Sequence, residues 1–251
     1  MFAHLTRLRE SATVAHVLPL AVFMLLNSVP GWFRIDNPEL PWYRQAPEHW
    51  LYPVQTFLTG AMLIFFARHY RLAPWRGLGV AAVLGLVGIA MWVAPAWLYE
   101  RLVASGTQLP GWAEWLGLAE RKEGFNPEVL SAWPAWQSAS IGMRFVRMVV
   151  VVPLIEEIFW RGFLMRYVGA GERDWQQVPF GLHSWRVFGV VTVLVMLAHN
   201  PVDYLGAFVW GSLMYFVAVR TKSLGACVFM HAVGNLALGL YVCQTRQWGF
   251  W

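Results

Sequence analysis

The stretch VVVVPLIEEIFWRGFL, residues 149–164, places two adjacent acids, Glu156 and Glu157, inside a run as apolar as a membrane span. An ionised carboxylate in hydrocarbon is costly, and it is therefore rare there unless it is paired or functional. Two such groups side by side indicate a polar centre inside a membrane protein.

The composition of the whole chain supports a membrane location. Hydrophobic residues make up 58% of the 251 residues and charged residues 13%, with a mean hydropathy of +0.46. A soluble domain carries about 25% charged residues. Because backbone groups in lipid must be hydrogen-bonded within their own segment, the apolar runs predict an all-α, polytopic transmembrane helical bundle with its site within the membrane.

The apolar runs divide the chain into about seven to eight spans of near the ~20 residues that a bilayer requires. The seven that we draw are 11–33, 50–67, 77–98, 143–166, 187–199, 204–219 and 223–243. We interpret residues 1–142 as N-terminal transmembrane helices with a Trp-rich interfacial loop, because indole rings favour the headgroup layer. Residues 143–251 are interpreted as a catalytic helical core, and the two parts form one integral membrane unit. The first run is long and lacks a small-residue cleavage site, so we expect it to be retained as a span.

Loop charges predict the orientation of these spans. If the spans alternate, one side holds basic segments such as Arg68 to Arg76, which contain no acid. The opposite side holds 34–48, with two bases and three acids, and 99–142, with three bases and five acids. The positive-inside rule then places the N-terminus in the cytoplasm. The net charge of +5 fits an anionic inner leaflet, and we expect no nucleic-acid partner.

Within residues 149–164, the two acids have different surroundings. Glu157 and Arg161 are spaced i,i+4 and share a helix face, so they predict a structural ion pair. Glu156 points about 100° away, which leaves it free for chemistry. The alternative is that all three residues are a packing device.

Three further polar residues lie on later spans. His199 ends the fifth predicted span, and His231 and Asn235 share one face of the last span at i,i+4 spacing. Taken alone, His199 is an ordinary interfacial histidine, and the other two are interhelical hydrogen-bonding residues. At ~1.5 Å per residue, however, all three and Glu156 lie roughly 13–20 Å from the cytoplasmic ends of their helices. A shared depth favours one common site.

The order and spacing of these residues resemble the CAAX-protease and bacteriocin-processing family of intramembrane glutamic endopeptidases, which includes the type II CAAX prenyl endopeptidases. The family pattern is E-E-x-x-x-R, F-x-x-x-H and H-x-x-x-N/D, and it is matched here over about residues 145–240 by Glu156-Glu157-Ile-Phe-Trp-Arg161, His199 and His231-Ala-Val-Gly-Asn235. One departure is Val195, which stands where the second motif usually has Phe.

The resemblance implies a role for each matched residue. Glu156 would act as general base on a water, with His199 helping to hold it, while His231 and Asn235 would stabilise the oxyanion. Glu157 and Arg161 would shape the site. It also implies a peptide or protein substrate, of which a lipidated or membrane-anchored C-terminus is the best-known kind, and a prokaryotic inner membrane. No cofactor is expected.

Three alternatives stay open at the level of sequence. Glu156, His199 and His231 could be zinc ligands, since three N/O ligands plus water form an ordinary catalytic zinc site. The chain could be a catalytically inactive scaffold or immunity-type relative. A transporter is the third alternative, although repeated halves of the kind that transporters often show are not visible.

Overall fold

Seven long helices build the protein, whose computed structural model describes residues 8–37, 39–122 and 124–251. We number them in chain order: α1 Ala12–Asn27, continued by Val29–Phe33, α2 Glu48–Phe65, α3 Leu78–Ala104, α4 Pro134–Ala170, α5 Trp185–Leu197, α6 Tyr204–Thr221 and α7 Leu224–Thr245. A short helix, Trp42–Gln45, and short 3-10 segments lie between them: Ala67–His69, Gly111–Leu116, Pro127–Leu130, Trp175–Gln177 and Pro201–Asp203. A last 3-10 turn, Trp248–Phe250, follows α7. Over these ranges there is no β-strand, so the predicted all-α fold is confirmed.

Five of the helices, namely α1, α3, α4, α6 and α7, are long and apolar enough to cross a bilayer. The predicted polytopic bundle is therefore confirmed, and each of the seven predicted spans corresponds to a helix. The other two helices depart from an ordinary span. The first turn of α2 contains Glu48, and α5 has only 13 residues, or about 20 Å at ~1.5 Å per residue.

The short helix α5 nevertheless carries the chain across the bundle. Asp203, the last residue of the turn that follows α5, forms a 2.7 Å ion pair with Arg121 in the loop between α3 and α4. The backbone N–H of Phe125, in the same loop, donates to the carbonyl of the C-terminal Trp251. The start of α6 and the C-terminus thus lie on the same side as the loop after α3.

Close packing around α7 fixes the core of the bundle. The most extensive helix contacts are those of α3 with α7, and α6 packs against both α3 and α5. Glycine makes this approach possible, because a Cβ atom at Gly85 of α3 would lie 2.7 Å from the carbonyl oxygen of Met230 on α7. The polar residues of α7 are thereby held at a fixed distance from α3 and α6.

Helix α4, which carries the two acids, contains two π-helical segments, Arg147–Val151 and Ile158–Leu164. In the first, the N–H of Val152 bonds to the carbonyl of Arg147, five residues earlier. Pro153 comes next, and it has no N–H with which to continue either hydrogen-bonding pattern. Such π-bulges are often found at functional sites. Here they enclose the segment Val152–Glu157 on both sides.

Candidate active site

A cavity of about 260 Å³ lies between the helices, and all six residues singled out in the sequence line it: Glu156, Glu157, Arg161, His199, His231 and Asn235. They come from α4, from the second residue after the end of α5, and from α7. The shared depth estimated from helix lengths thus corresponds to one enclosed site. Residues of α1 and α3 also line it, among them Phe23, Asn27, Ile89 and Trp92.

Glu157 is the most tightly held of the acids. Its Oε2 lies 3.5 Å from Nε of Arg161, and both side chains are almost fully buried, at 2% and 1% exposed. The Arg161 guanidinium also approaches the carbonyl of Gly211, at 3.5 Å. The structure thus contains the i,i+4 ion pair that the spacing predicted.

A second contact of Glu157 was not visible in the sequence. Its Oε1 lies 2.8 Å from Nδ1 of His231, which joins α4 to α7 through buried side chains. Because Nδ1 is used for this bond, Nε2 is the nitrogen of His231 that remains for the cavity. The acid that we interpreted as part of a structural pair therefore also orients an imidazole of the site.

Glu156 is half-buried and lies in the cavity. None of the hydrogen bonds and ion pairs between the described residues involves its carboxylate. The division that the sequence predicted, with one acid paired and the other unpaired, is what the side-chain contacts show.

His199 is oriented by the helix that it follows. Its Nδ1 donates to the carbonyl of Val195 at 2.7 Å, so the neutral ring has an unprotonated Nε2. Val195 is buried, as a packing position should be, and its replacement of the family's Phe leaves this backbone contact intact. The ring of Trp92 on α3 meets the imidazole edge-on, with 5.4 Å between ring centres.

Asn235 donates from Nδ2 to the carbonyl of Met148, at 2.6 Å. The π-helical geometry explains why this carbonyl is open to a side chain. An i→i+5 bond to it would have to come from Pro153, which has no N–H. The amide of Asn235 therefore braces the π-bulge of α4 and retains one N–H for the cavity.

Two tryptophans of the site were missed in the sequence. Trp210 of α6 meets His231 edge-on at 5.5 Å between ring centres, as Trp92 meets His199. Glycines make room for both indoles. A Cβ atom at Gly234 would lie 2.5 Å from the Trp210 ring, and one at Gly206 would lie 2.9 Å from the Trp92 ring. Apolar spans contain many tryptophans and glycines, so only the tertiary contacts identify these.

Arg144 and Arg147, on the first two turns of the cavity-lining part of α4, were also missed. Both fall inside the predicted span 143–166, where the argument used for the two glutamates applies equally. The cavity contains three arginines and two glutamates, and only Arg161 among the arginines is ion-paired.

The fit of a metal ion can be judged from the donors. Across the described parts of the chain, no group of three or more His, Cys, Asp or Glu side chains is arranged to hold a metal ion. The zinc alternative, with Glu156, His199 and His231 as ligands, therefore has no support from the arrangement of these side chains. The expectation of a metal-independent reaction stays a prediction.

Comparison with known proteins agrees with the motif. Residues 138–237 match a family described as "Type II CAAX prenyl endopeptidase Rce1-like", and the resemblance predicted from the sequence is confirmed for this segment. The matched segment contains α4 from its second turn onward, α5, α6 and most of α7, and all six motif residues. No curated protein and no solved structure matches the chain. The match supports a membrane peptidase.

Proposed function

We propose that the protein is an intramembrane endopeptidase that hydrolyses a peptide bond with a water molecule activated by Glu156. One observation carries this proposal: the Glu156 carboxylate forms no ion pair with the described residues and lies in the same cavity as two oriented imidazoles and an amide. Peptide hydrolysis needs an activated water and hydrogen-bond donors directed at the developing negative charge.

In the proposed reaction, Glu156 takes a proton from water while the oxygen adds to the carbonyl carbon of the scissile bond. The carbonyl oxygen becomes an oxyanion. Glu156 then gives its proton to the peptide nitrogen as the C–N bond breaks, which leaves a carboxylic acid and an amine, and the acid then passes its proton to the amine or to solvent. A carboxyl group in an apolar environment suits both steps, because it can be a base first and an acid afterwards.

The hydrogen bonds of the two histidines assign them different tasks in this proposal. His199, with Nδ1–H bound to Val195, accepts from the attacking water at Nε2 and so holds it beside Glu156. His231 donates to the oxyanion from Nε2 when its ring is doubly protonated, in which state Nδ1 forms an ion pair with Glu157. Asn235 adds its remaining N–H to the oxyanion.

The substrate that fits this proposal is a peptide segment that reaches the cavity from the bilayer. Apolar residues such as Phe23, Val152 and Leu238 line the cavity beside the polar groups. A lipidated or membrane-anchored C-terminus has the required character, and we propose it as the substrate class. We propose further that the N-terminus lies in the cytoplasm, on the side of the basic loops, and that the protein resides in a prokaryotic inner membrane, as the resemblance implies.

Glu156→Gln is the first test. It keeps the size of the side chain and removes the base, so membrane proteins cleaved in cells with the parent protein should keep their uncut termini in cells with the variant. Mass spectrometry of membrane-protein termini measures this. Glu114→Gln, an exposed loop substitution, is the matched control and should behave as the parent.

This comparison of termini and a chelation assay separate the proposal from an inactive relative and from a metal-dependent hydrolase. Identical termini with the parent and with Glu156→Gln would refute the proposal and favour an inactive scaffold or immunity-type relative. Cleavage by purified protein that stops after exhaustive chelation and returns on addition of Zn²⁺ would favour the metal-dependent hydrolase instead.

A further inference from the structure

Two arginines in the cavity form no ion pair with any described residue. Arg144 and Arg147 line the same space as Glu156. Each of the ion pairs between described residues involves other cations: Arg34, Arg121, Arg161, His231 and Arg246. A buried charge without a counter-ion is strongly destabilising, so membrane proteins seldom keep one that has no use.

Arg147 is positioned by neutral groups only. It is 6% exposed, and its Nε and terminal nitrogen donate to Gln55 at 3.1 Å and Asn27 at 2.6 Å. Gln55 is held in turn by the carbonyl of Phe23, at 2.6 Å. These amides orient the guanidinium, which forms no ion pair with any described residue.

Arg144 is surrounded by aromatic rings. Its guanidinium lies 5.2 Å from the ring of Phe125 and 5.7 Å from that of Trp251, and its buried Nε has no hydrogen-bond partner within the described residues. Cation–π contacts are worth up to about 2 kcal/mol when desolvated, but they do not neutralise the charge. The rings thus fix the position of a guanidinium that forms no ion pair with the described residues.

The first π-bulge of α4 brings Arg144 to the side of Glu156. Twelve residues separate Arg144 from Glu156, which at about 100° per residue would place them roughly 120° apart on a regular α-helix. The i→i+5 bond between Arg147 and Val152 takes up one additional residue in this interval. The angle then falls to roughly 20°, so both side chains lie on one face.

We propose that Arg144 and Arg147 bind a carboxylate of the peptide substrate and thereby set which bond Glu156 cleaves. This inference rests on the proposed endopeptidase function. Arginine is suited to the task because its planar donors match the two oxygens of a carboxylate.

The spacing limits where that carboxylate lies in the substrate. Along the axis of α4, Arg147 and Arg144 are about 14 and 18 Å from Glu156 at ~1.5 Å per residue. An extended peptide rises about 3.3 Å per residue. The bound carboxylate therefore lies within about five residues of the scissile bond, either as the C-terminus or as an acidic side chain.

The test uses pools of apolar ten-residue peptides in detergent solution. One pool ends in a free carboxylate, the second in a carboxamide, and the third ends in a carboxamide but contains one glutamate four residues before its end. Binding is measured on the Glu156→Gln protein by its thermal shift, and cleavage is measured on the parent by mass spectrometry. Binding tests the proposed carboxylate site and cleavage tests the proposed endopeptidase activity, so either proposal can fail without the other.

We expect at least one of the two acidic pools, the one with a free carboxylate or the one with a glutamate, to bind more tightly than the carboxamide pool without glutamate. The expected difference in affinity is about 10- to 100-fold, which is the typical contribution of hydrogen bonds to a charged group. Arg144→Gln should abolish this preference, and Arg144→Lys should retain part of it. In cleavage, the loss should appear in KM more than in kcat. Arg101→Gln, which removes a guanidinium 3.8 Å from the ring of Trp97 outside the cavity, should keep the full preference.

Equal binding of all three pools, or a preference for acid that survives Arg144→Gln, would overturn the inference. Acid-dependent binding without cleavage of any pool by the parent would instead refute the proposed endopeptidase and leave the carboxylate site standing. If Arg144→Gln fails to fold, Arg144→Lys and the carboxylate-to-carboxamide comparison on the parent still decide the outcome.

Discussion

At the scale of single residues, the contacts of Glu157 make it more than the partner of one arginine. It accepts from His231 with one oxygen and faces Arg161 with the other, and all three side chains are buried. Adjacent acids on α4 thus have separate tasks, since one holds cationic and polar side chains in place and the other stays available. The two acids differ in role because the side chains that surround them differ.

Removing the charge of Glu157 should therefore destabilise the protein. Glu157→Gln leaves Arg161 as an unpaired buried cation, for which a loss of about 3–5 kcal/mol in the free energy of unfolding is typical. We expect a lower midpoint of thermal unfolding in detergent and a lower yield. Combining it with Arg161→Met should restore part of the loss, because a buried pair replaced by apolar groups is often tolerated.

The exposed ion pair Glu128–Arg246 supplies the control for the substitutions of the buried pair Glu157–Arg161. Its side chains are 45% and 75% exposed, and pairs of that kind contribute little. Glu128→Gln should leave the unfolding midpoint unchanged. If Glu157→Gln unfolded at the same temperature as the parent, the ion pair would have no structural role.

At the scale of elements, the interruption of α4 positions more of the site than its apolar pattern suggested. The π-bulge at Arg147–Val151 turns Arg144 toward Glu156 and, together with Pro153, opens the carbonyl of Met148 to Asn235. Hydrophobic periodicity predicts that a helix exists, but it does not predict a change from i→i+4 to i→i+5 hydrogen bonding. The proline was the one visible signal.

Pro153→Ala tests this interpretation of α4. Alanine supplies the N–H that proline lacks, and it removes the ring that opposes a regular helix, so the variant should be at least as stable as the parent. It should nevertheless lose activity, by about tenfold or more in kcat, because a regular helix would displace the site residues of α4, and small displacements of catalytic groups slow a reaction strongly. Thermal unfolding and the cleavage assay measure the two effects. A variant that keeps the activity of the parent would show that the bulge does not position the site.

The elements also show how far the sequence could predict the site. The paired acids, His199, His231 and Asn235 were found because charged and polar residues are conspicuous in apolar spans, and the structure places all of them in one cavity. Trp92 and Trp210 could not be found in this way, because tryptophan is ordinary in a membrane protein. Arg144 and Arg147 could have been found, but at the edge of a span an arginine also fits the headgroup region.

At the scale of the whole molecule, the contacts between loops determine which ends lie together. The ion pair of Arg121 with Asp203 and the bond from Phe125 to Trp251 place the start of α6 and the C-terminus beside the loop after α3. The loop between α4 and α5 lies at the other end of α4. If the basic loops lie in the cytoplasm, as we propose, the C-terminus and the loop after α3 face outward.

Single cysteines test this arrangement. Gln108 lies in the loop after α3 and Glu172 in the loop after α4, and both are exposed. Of the native cysteines, Cys227 is buried, and Cys243 is replaced by serine in the background. In intact spheroplasts, a membrane-impermeant maleimide should label Gln108→Cys, whereas Glu172→Cys should react only after the membrane is opened. The reverse pattern would invert the orientation, and labelling of both from outside would contradict an odd number of crossings between the two loops.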